Sequence, residues 1–210
     1  MNIDIFIQGF IPLALAHFIA LLSPGADFFI LVSSSSKNGK TAGILTAFGI
    51  AFANGLYILF ALFGILLIQN NQILFISIKL VGALYLLYLS YHLIFSKQRE
   101  LFKNDKNIKR TKELLKNFLK GFLSAILNPK NSIFYFTMFS ISSTHKIPLD
   151  FQIIYAFWMF FVVLFWDIFI VYLINSKNNR VLIQKYSNKI EKISGVILFV
   201  LGFAILISLF

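Results

Sequence analysis

The chain has 210 residues, of which 59% are hydrophobic and 13% are charged, and its formal net charge is +11. Soluble domains contain about 25% charged residues, so this composition excludes a soluble protein and indicates a polytopic helical membrane protein. The sequence contains no cysteine, which excludes disulfides, thiol redox chemistry and thiolate metal sites.

Six apolar segments are long enough to cross a bilayer, which takes about 20 helical residues. None of them alternates polar and apolar residues as barrel strands do. The predicted fold class is therefore all-α, with six transmembrane helices. The N-terminus has no basic region and no small-residue cleavage site, so the first span is expected to stay in the mature protein. The segments lie at 5–36, which is interrupted at Pro24, and at 42–68, 78–95, 118–141, 151–175 and 193–210.

Lysine and arginine are concentrated in alternate connections between these segments. The connections 37–41, 96–120 and 176–192 are basic, whereas 69–77 and 142–150 contain a single lysine. By the positive-inside rule, the basic connections lie in the cytoplasm and both termini lie outside. Because topology and lipid headgroups account for the basic charge, no nucleic-acid partner is expected.

The basic linker divides the chain into two similar halves. Residues 1–95 form the first predicted three-helix repeat, 96–117 the linker, and 118–210 the second repeat. Pro24 and Pro129 are separated by half the chain length. Because each half has an odd number of spans, the second half must enter the membrane in the opposite direction. Such inverted repeats place the substrate of a transporter at broken helices near the midplane.

Each of the two prolines marks the start of a predicted half-helix. Ser23 or Asn128 would be the N-cap, followed by Pro24 or Pro129 at the first helical position. The unpaired N–H groups and partial positive charge of two such helix ends can hold a carboxylate.

Asp27 follows the first break within one helical turn, and a charge inside a membrane costs roughly 2.5 to 3.5 kcal/mol. Asp27 is predicted to bind a substrate ammonium group while the helix ends hold a carboxylate, which together describe an amino acid. The alternative is that the prolines only kink packed helices and that Asp27 is a structural partner of Lys130. Asn54 is expected to line the cavity or to tie two helices together. The predicted substrate-binding residues are Ser23, Pro24, Gly25, Asp27, Asn54, Asn128, Pro129 and Lys130.

Asp27 and Asp167 are the residues predicted to take part in proton coupling. A carboxyl group removed from water favours its neutral form, so Asp27 is predicted to bind the coupling proton in competition with substrate. Asp167 is expected to lie on the proton path, to bond a neighbouring helix or to lie near the interface, and the sequence leaves these alternatives open. His17 and His92 lack metal-ligand spacing and are interpreted as interhelix hydrogen-bonding residues. No metal site and no cofactor are predicted.

Small residues at four-residue spacing allow helices to approach closely, and they are interpreted as packing positions. The pairs are Gly39/Gly43, Ala47/Ala51, Gly49/Ala53 and Gly121/Ala125.

Four motifs in order resemble those of the LysE/RhtB family of bacterial amino-acid exporters, over nearly the whole chain. They are Ser-Pro-Gly-Ala-Asp at 23–27 with the glycines that follow it, Gly-Ala-Leu-Tyr-Leu at 82–86, Asn-Pro-Lys at 128–130, and the glycine-spaced pattern from Gly195 to Gly202. The resemblance implies efflux of amino acids or related small metabolites across the bacterial cytoplasmic (inner) membrane, driven by the proton-motive force and without an organic cofactor. The sequence departs from the family pattern at Ala26, where the family has a second proline. It departs again at Asn54 and Tyr57, where many members have Asp and His, and at 140–142, where the usual exit of the fourth span is missing.

The sequence thus predicts a secondary transporter that exports an amino-acid-like substrate by proton antiport, and not an enzyme. Its partners are the substrate, the proton and the lipid bilayer; a homodimer is compatible with the sequence, but no motif requires one. One alternative is a divalent-metal or other small-solute exporter, which the scattered histidines and acids disfavour. Another is a non-transporting membrane interaction subunit, in which Asp27 would be dispensable. A thiol-carrier oxidoreductase is disfavoured by the absence of cysteine.

Overall fold

The computed structural model describes residues 3–23, 25–68, 71–97, 114–144 and 147–209. All regular structure in these residues is α-helical, which confirms the predicted fold class. The eight helices of the described ranges are α1 (Ile3–Leu22), α2 (Ala26–Asn38), α3 (Lys40–Ile68), α4 (Gln72–Ile94), α5 (Leu114–Ile126), α6 (Pro129–Thr144), α7 (Leu149–Ile174) and α8 (Lys177–Ile207).

Five of these helices are long and apolar enough to cross a membrane, namely α1, α3, α4, α7 and α8. The predicted segment 5–36 corresponds to α1 and α2, and the predicted segment 118–141 corresponds to α5 and α6. Both predicted interruptions are therefore helix boundaries. The count of six spans is compatible with this arrangement and stays a prediction, as do the two inverted repeats.

Several connections predicted as loops are shorter or helical. The connection 176–192 was expected to be a loop, but α8 begins at Lys177 and continues through it without a Pro or Gly to interrupt the helix. The connection 37–41 reduces to Gly39, whose positive φ of 90° separates α2 from α3. The helix α4 begins six residues before the predicted span, after Asn71, whose side chain accepts from the N–H of Leu74.

Helix α3 is the centre of the bundle and contacts α2, α5, α6 and α7. Its closest neighbour is α5, because a Cβ atom on Gly49 would overlap the carbonyl oxygen of Phe118, and one on Gly121 would overlap that of Thr46. The interpretation as packing positions is confirmed at Gly49 and Gly121. It is wrong for Gly39, where a Cβ atom would meet none of the described atoms and where the positive φ serves the turn between α2 and α3. A second pair, α4 and α8, packs closely at Gly195 and Gly202.

Two clusters of buried apolar side chains lie at different levels along α3 and α7. One includes Leu62 and Tyr155, and the other includes Ala47 and Val171. Asn54 lies between the two levels, midway along α3, and it faces a polar cavity. The two helix breaks border the same cavity.

Candidate functional site

The cavity has a volume of about 60 Å³. One part of its wall is polar and the other is aromatic, with side chains from α1, α2, α3, α6 and α7. Because one water needs about 10–15 Å³ by this measure, the cavity has room for a few waters or a small polar ligand. The wall includes Ser23, Gly25, Asp27, Asn54, Asn128, Lys130, Asn131 and Asp167, together with His17, Phe28, Phe134, Tyr135 and Trp166.

Most of the residues predicted from the sequence are brought together here. Those predicted to bind substrate line the cavity, with two exceptions. Pro24 lies outside the described residues, and Pro129 begins α6 with an exposed side chain and does not line the cavity. Asp167 lines the same cavity from α7.

The first break separates α1 from α2, and the second break separates α5 from α6. Asp27 lies in the first turn of α2 and links that helix to the second break. Its Oδ1 atom accepts from the Ser124 hydroxyl at 3.0 Å. Its Oδ2 atom accepts from the side-chain amides of Asn128 at 3.2 Å and Asn131 at 2.8 Å. All three donors come from α5, α6 or the break between them, so this half-buried carboxylate joins the two interrupted helices.

Asn128 caps α6 as the sequence predicts. Its Oδ1 atom accepts from the backbone N–H of Lys130 at 3.1 Å, and Pro129 occupies the first helical position. At the other end of the break, the hydroxyl of Tyr57 on α3 donates to the carbonyl oxygen of Ile126. Both ends of the second break therefore have side-chain partners.

The predicted cap at Ser23 is wrong. The N-cap of α2 is Gly25, with φ −100° and ψ −168°, and no side chain caps this helix. Because α2 begins at Ala26, two residues later than a Ser-Pro start requires, the Ser23 hydroxyl does not cap the N–H groups of its first turn.

Lys130 lies in the first turn of α6 and reaches across to the end of α1. Its Nζ atom donates to the carbonyl oxygens of Ala20 at 3.2 Å and Ser23 at 3.0 Å. An ammonium group at a helix C-terminus binds unpaired carbonyls and complements the helix dipole. Within the described part of the chain, Lys130 makes no ion pair with Asp27, although both line the cavity. The geometry does not match the alternative in which these two residues are simply each other's structural partner.

Asn54 is buried and donates from Nδ2 to the carbonyl oxygen of Ile50 in its own helix, at 2.9 Å. It lines the cavity and does not tie two helices together. Asp167 differs from Asp27, because its Oδ2 atom is buried and has no hydrogen-bond partner in the described residues.

His17 joins two helices, as the sequence suggests. Its Nε2 atom lies 3.4 Å from the hydroxyl of Tyr135 on α6, and its ring also contacts Trp158. The expectation for His92 is wrong: its exposed ring contacts Tyr88 and Tyr91 of its own helix, because it faces outward from α4. No group of three or more metal-ligating side chains occurs in the described ranges.

Sequence reasoning missed several residues of the site. Asn131 and Ser124 hold Asp27, and Tyr135 and Trp166 form part of the cavity wall. Asn131 could have been found from the sequence because it directly extends the Asn-Pro-Lys motif. Ser124 lies in α5, before the break, and nothing in the sequence around it indicates a role in the site. Tyr135 carries no signal among eight tyrosines, whereas Trp166 is one of two tryptophans and adjoins Asp167, so it could have been singled out.

The cavity combines one fixed carboxylate and one fixed ammonium group that do not neutralise each other directly. A carboxylate offers about four acceptor positions and an ammonium group three donors. Three of the positions on Asp27 and two of the donors on Lys130 are used. Among the described residues, one acceptor and one donor therefore remain, which is the complement of a small zwitterion.

Apolar membrane-length helices around a polar cavity, with two helix breaks at its border, are features of membrane transport proteins. The comparison with known families agrees. A family model, LysE type translocator, matches residues 18–209, and the chain belongs to that family. It is thus a membrane exporter and not an enzyme.

Several relatives cover most of the chain. It is 29% identical over 207 residues to the uncharacterized membrane protein YrhP of Bacillus subtilis, covering 94% of this chain and 95% of that protein. It is 28% identical over 204 residues to an uncharacterized membrane protein of Haemophilus influenzae, covering 90% and 92%. It is also 28% identical over 135 residues to the threonine efflux protein of Escherichia coli, covering 63% of this chain and 65% of that protein. No solved structure matches the chain.

Proposed function

We propose that this protein exports amino acids or related small metabolites across the bacterial cytoplasmic membrane by proton antiport. The observation that carries the proposal is the separated pair of charges in one cavity, the carboxylate of Asp27 and the ammonium group of Lys130. Contacts with the described residues leave each charge one hydrogen-bonding position. The similarity to threonine efflux proteins supports an amino-acid substrate.

In this proposal the substrate ammonium group binds Asp27 and the substrate carboxylate binds Lys130. The free N–H groups at the start of α2 assist, because Gly25 leaves that helix without a side-chain cap. The sequence assigned the substrate carboxylate to the N–H groups of both helix ends. Because Asn128 already binds an N–H group at the start of α6, Lys130 takes the place of that helix end in carboxylate binding. The proton is carried by the carboxyl groups of the cavity, Asp27 and Asp167.

The topology in this proposal is the one that the basic connections indicate. Both termini lie outside, and the connections rich in lysine and arginine lie in the cytoplasm. Substrate then enters the cavity from the cytoplasmic side, and proton entry from outside drives its release. Cysteine-accessibility labelling at each terminus tests this topology directly, because the native chain has no cysteine.

Efflux from cells preloaded with a labelled amino-acid mixture tests the function. The strains express wild type, Asp27→Asn or Asp150→Asn at matched levels; Asp150 is an exposed residue in the first turn of α7 and serves as the control for the same chemical change. We expect selective efflux of one or a few amino acids in wild type and the control. Loss of the carboxylate should reduce this efflux by at least about tenfold. If wild type exports no amino acid, the proposal fails; in that case, metal-dependent growth of a deletion strain tests the alternative of a metal exporter.

A further inference from the structure

We propose that the two cavity carboxylates have separate roles: Asp167 carries the coupling proton, and Asp27 stays ionised throughout transport as the substrate-binding group. This inference rests on the proposed function and narrows it, because that function assigns the proton to both residues. It follows from how differently the two carboxyl groups are hydrogen-bonded.

Asp27 has hydrogen-bond partners that match an ionised carboxylate, which only accepts hydrogen bonds. The amide of Asn128 cannot be reversed, because its Oδ1 atom accepts from the N–H of Lys130. The amide of Asn131 is fixed as well, because its Nδ2 atom also faces a second acceptor, the carbonyl oxygen of Ala125 at 3.3 Å. Two permanent donors therefore point at Oδ2, and a proton on that atom would oppose both.

Asp167 has the opposite surroundings. Its Oδ2 atom is buried, and no donor from the described residues reaches it. A buried carboxylate oxygen without a donor is costly in its charged form, because neither water nor protein compensates for the lost hydration. Binding a proton removes that charge without any rearrangement of neighbouring side chains.

The other groups around the cavity do not supply this missing donor. The titratable side chains that face Asp167 across it are Asp27 from α2, His17 from α1, and Lys130 and Tyr135 from α6. Lys130 is directed to the end of α1, and the Tyr135 hydroxyl is directed to His17. From α3 the cavity receives Asn54, which is not titratable, and from the described part of α8 it receives no residue.

With the proton on Asp167 and the substrate on Asp27, transport becomes an exchange of one proton for one substrate molecule. With Asp27 and Asp167 ionised and Lys130 charged, the cavity carries one net negative charge, which favours a substrate ammonium group. When Asp167 takes a proton from the outside, the cavity becomes neutral and the substrate is released outward. Loss of that proton to the cytoplasm restores the negative charge. One proton thus enters for each substrate molecule that leaves.

Two transport assays on the purified full-length protein in lipid vesicles separate this inference from the function itself. The first measures exchange of labelled for unlabelled substrate at equal pH on both sides, which needs binding but no net proton movement. The second measures transport driven by a pH gradient. The substrate is the amino acid that wild type exports from preloaded cells. Wild type must be active in both assays, and its failure in both would count against the proposed function and not against the division of roles.

Because Asn imitates the protonated, neutral state, we expect Asp167→Asn to bind substrate more weakly but to retain exchange within about twofold at saturating substrate. Gradient-driven transport should fall by about tenfold or more, in the range of typical coupling between sites. The exchange rate of this variant should also become independent of pH. Asp27→Asn should lose both activities, and Asp150→Asn should lose neither. Gradient-driven transport that survives in Asp167→Asn would overturn the inference, as would a loss of pH coupling in His17→Gln but not in Asp167→Asn.

A variant that keeps the carboxyl group covers the case in which Asp167→Asn does not fold. Asp167→Glu should retain gradient-driven transport, but with a displaced pH dependence, because the longer side chain places its carboxyl group in a different environment. An unchanged pH dependence in this variant would contradict the inference. Asp27→Glu is the matched comparison, and it should lower the apparent affinity for substrate without displacing the pH dependence.

Discussion

The break between α5 and α6 is capped by residues near it in sequence and by α3, whereas the break between α1 and α2 is capped from across the cavity. At the former, Asn128 binds the first turn of α6 and Tyr57 binds the end of α5. At the latter, Gly25 provides no side-chain cap, and Lys130 binds the carbonyl oxygens at the end of α1. The helix ends at the second break thus have partners from that break and from α3, and Lys130 from the second break also supplies the donor at the first.

This difference explains why the charged residues lie where they do. Lys130 extends from the second break to the first, and Asp27 extends from the first break to the second. Each charge therefore stabilises a helix end in the other half of the chain while it faces the substrate cavity. The same atoms that order the breaks would bind the substrate, so substitutions in them should affect stability and transport together.

The largest difference between the two breaks is expected when the ammonium group that binds the end of α1 at the first break is removed. Lys130→Met leaves the carbonyl oxygens of Ala20 and Ser23 without this donor, and a buried unsatisfied group costs about 1–3 kcal/mol. We expect the free energy of unfolding to fall by about 2–3 kcal/mol. The measurement is unfolding of the purified protein by a denaturing detergent, followed by circular dichroism. Lys130→Arg retains the charge and the donors and is the control. A Met variant as stable as wild type would show that the first break does not depend on the second.

A smaller effect is expected from a matched pair of substitutions at the two predicted caps. Asn128→Ala removes the N-cap of α6 and a donor to Asp27, and loss of such a cap costs about 0.5–2 kcal/mol. Ser23→Ala removes a hydroxyl that does not cap α2, so its effect should stay within about 0.5 kcal/mol. The same unfolding measurement compares them. Equal losses in the two variants would mean that the breaks are capped alike.

The smallest effect is expected at the end of α5. Tyr57→Phe keeps the ring and removes the hydroxyl that binds the Ile126 carbonyl oxygen, and a single hydrogen bond contributes about 0.5–1.5 kcal/mol. Tyr88→Phe, at an exposed position of α4, makes the same chemical change outside the site and should be neutral. If Tyr57→Phe destabilises the protein more than Lys130→Met, then the contact from α3 to the second break matters more for stability than the contact of Lys130 with the first break, contrary to our expectation.

Much of this arrangement could be predicted from the sequence, because helix breakers and charges are rare inside apolar segments. The prolines located both interruptions, and Asp27, Asn54 and Lys130 stood out as polar residues next to them or within a span. The basic connection 176–192 was wrongly predicted as a loop because charged residues were taken to mark the end of a helix. Hydropathy reports where a chain leaves the hydrocarbon core, not where a helix ends, and α8 continues past that point.

The remaining features depend on contacts between distant parts of the chain. Asn131 adjoins the Asn-Pro-Lys motif, but nothing local to Asn131 or Ser124 indicates that the group they bind is Asp27, about a hundred residues earlier. The cap at Ser23 failed because the position at which α2 begins depends on Gly25 and on contacts with α6, not on the Ser-Pro pair alone. The missing donor at Asp167 is a property of its whole surroundings, and no pattern in one segment encodes it.

Trp166 gives the cavity a built-in optical reporter. Its indole forms part of the wall, and the one other tryptophan in the sequence, Trp158, contacts Phe10 and His17. The emission of an indole shifts with the polarity and hydration around it, so a protein carrying Trp158→Phe would fluoresce from the cavity wall alone. Filling, emptying and water entry could then be followed in real time without any attached dye.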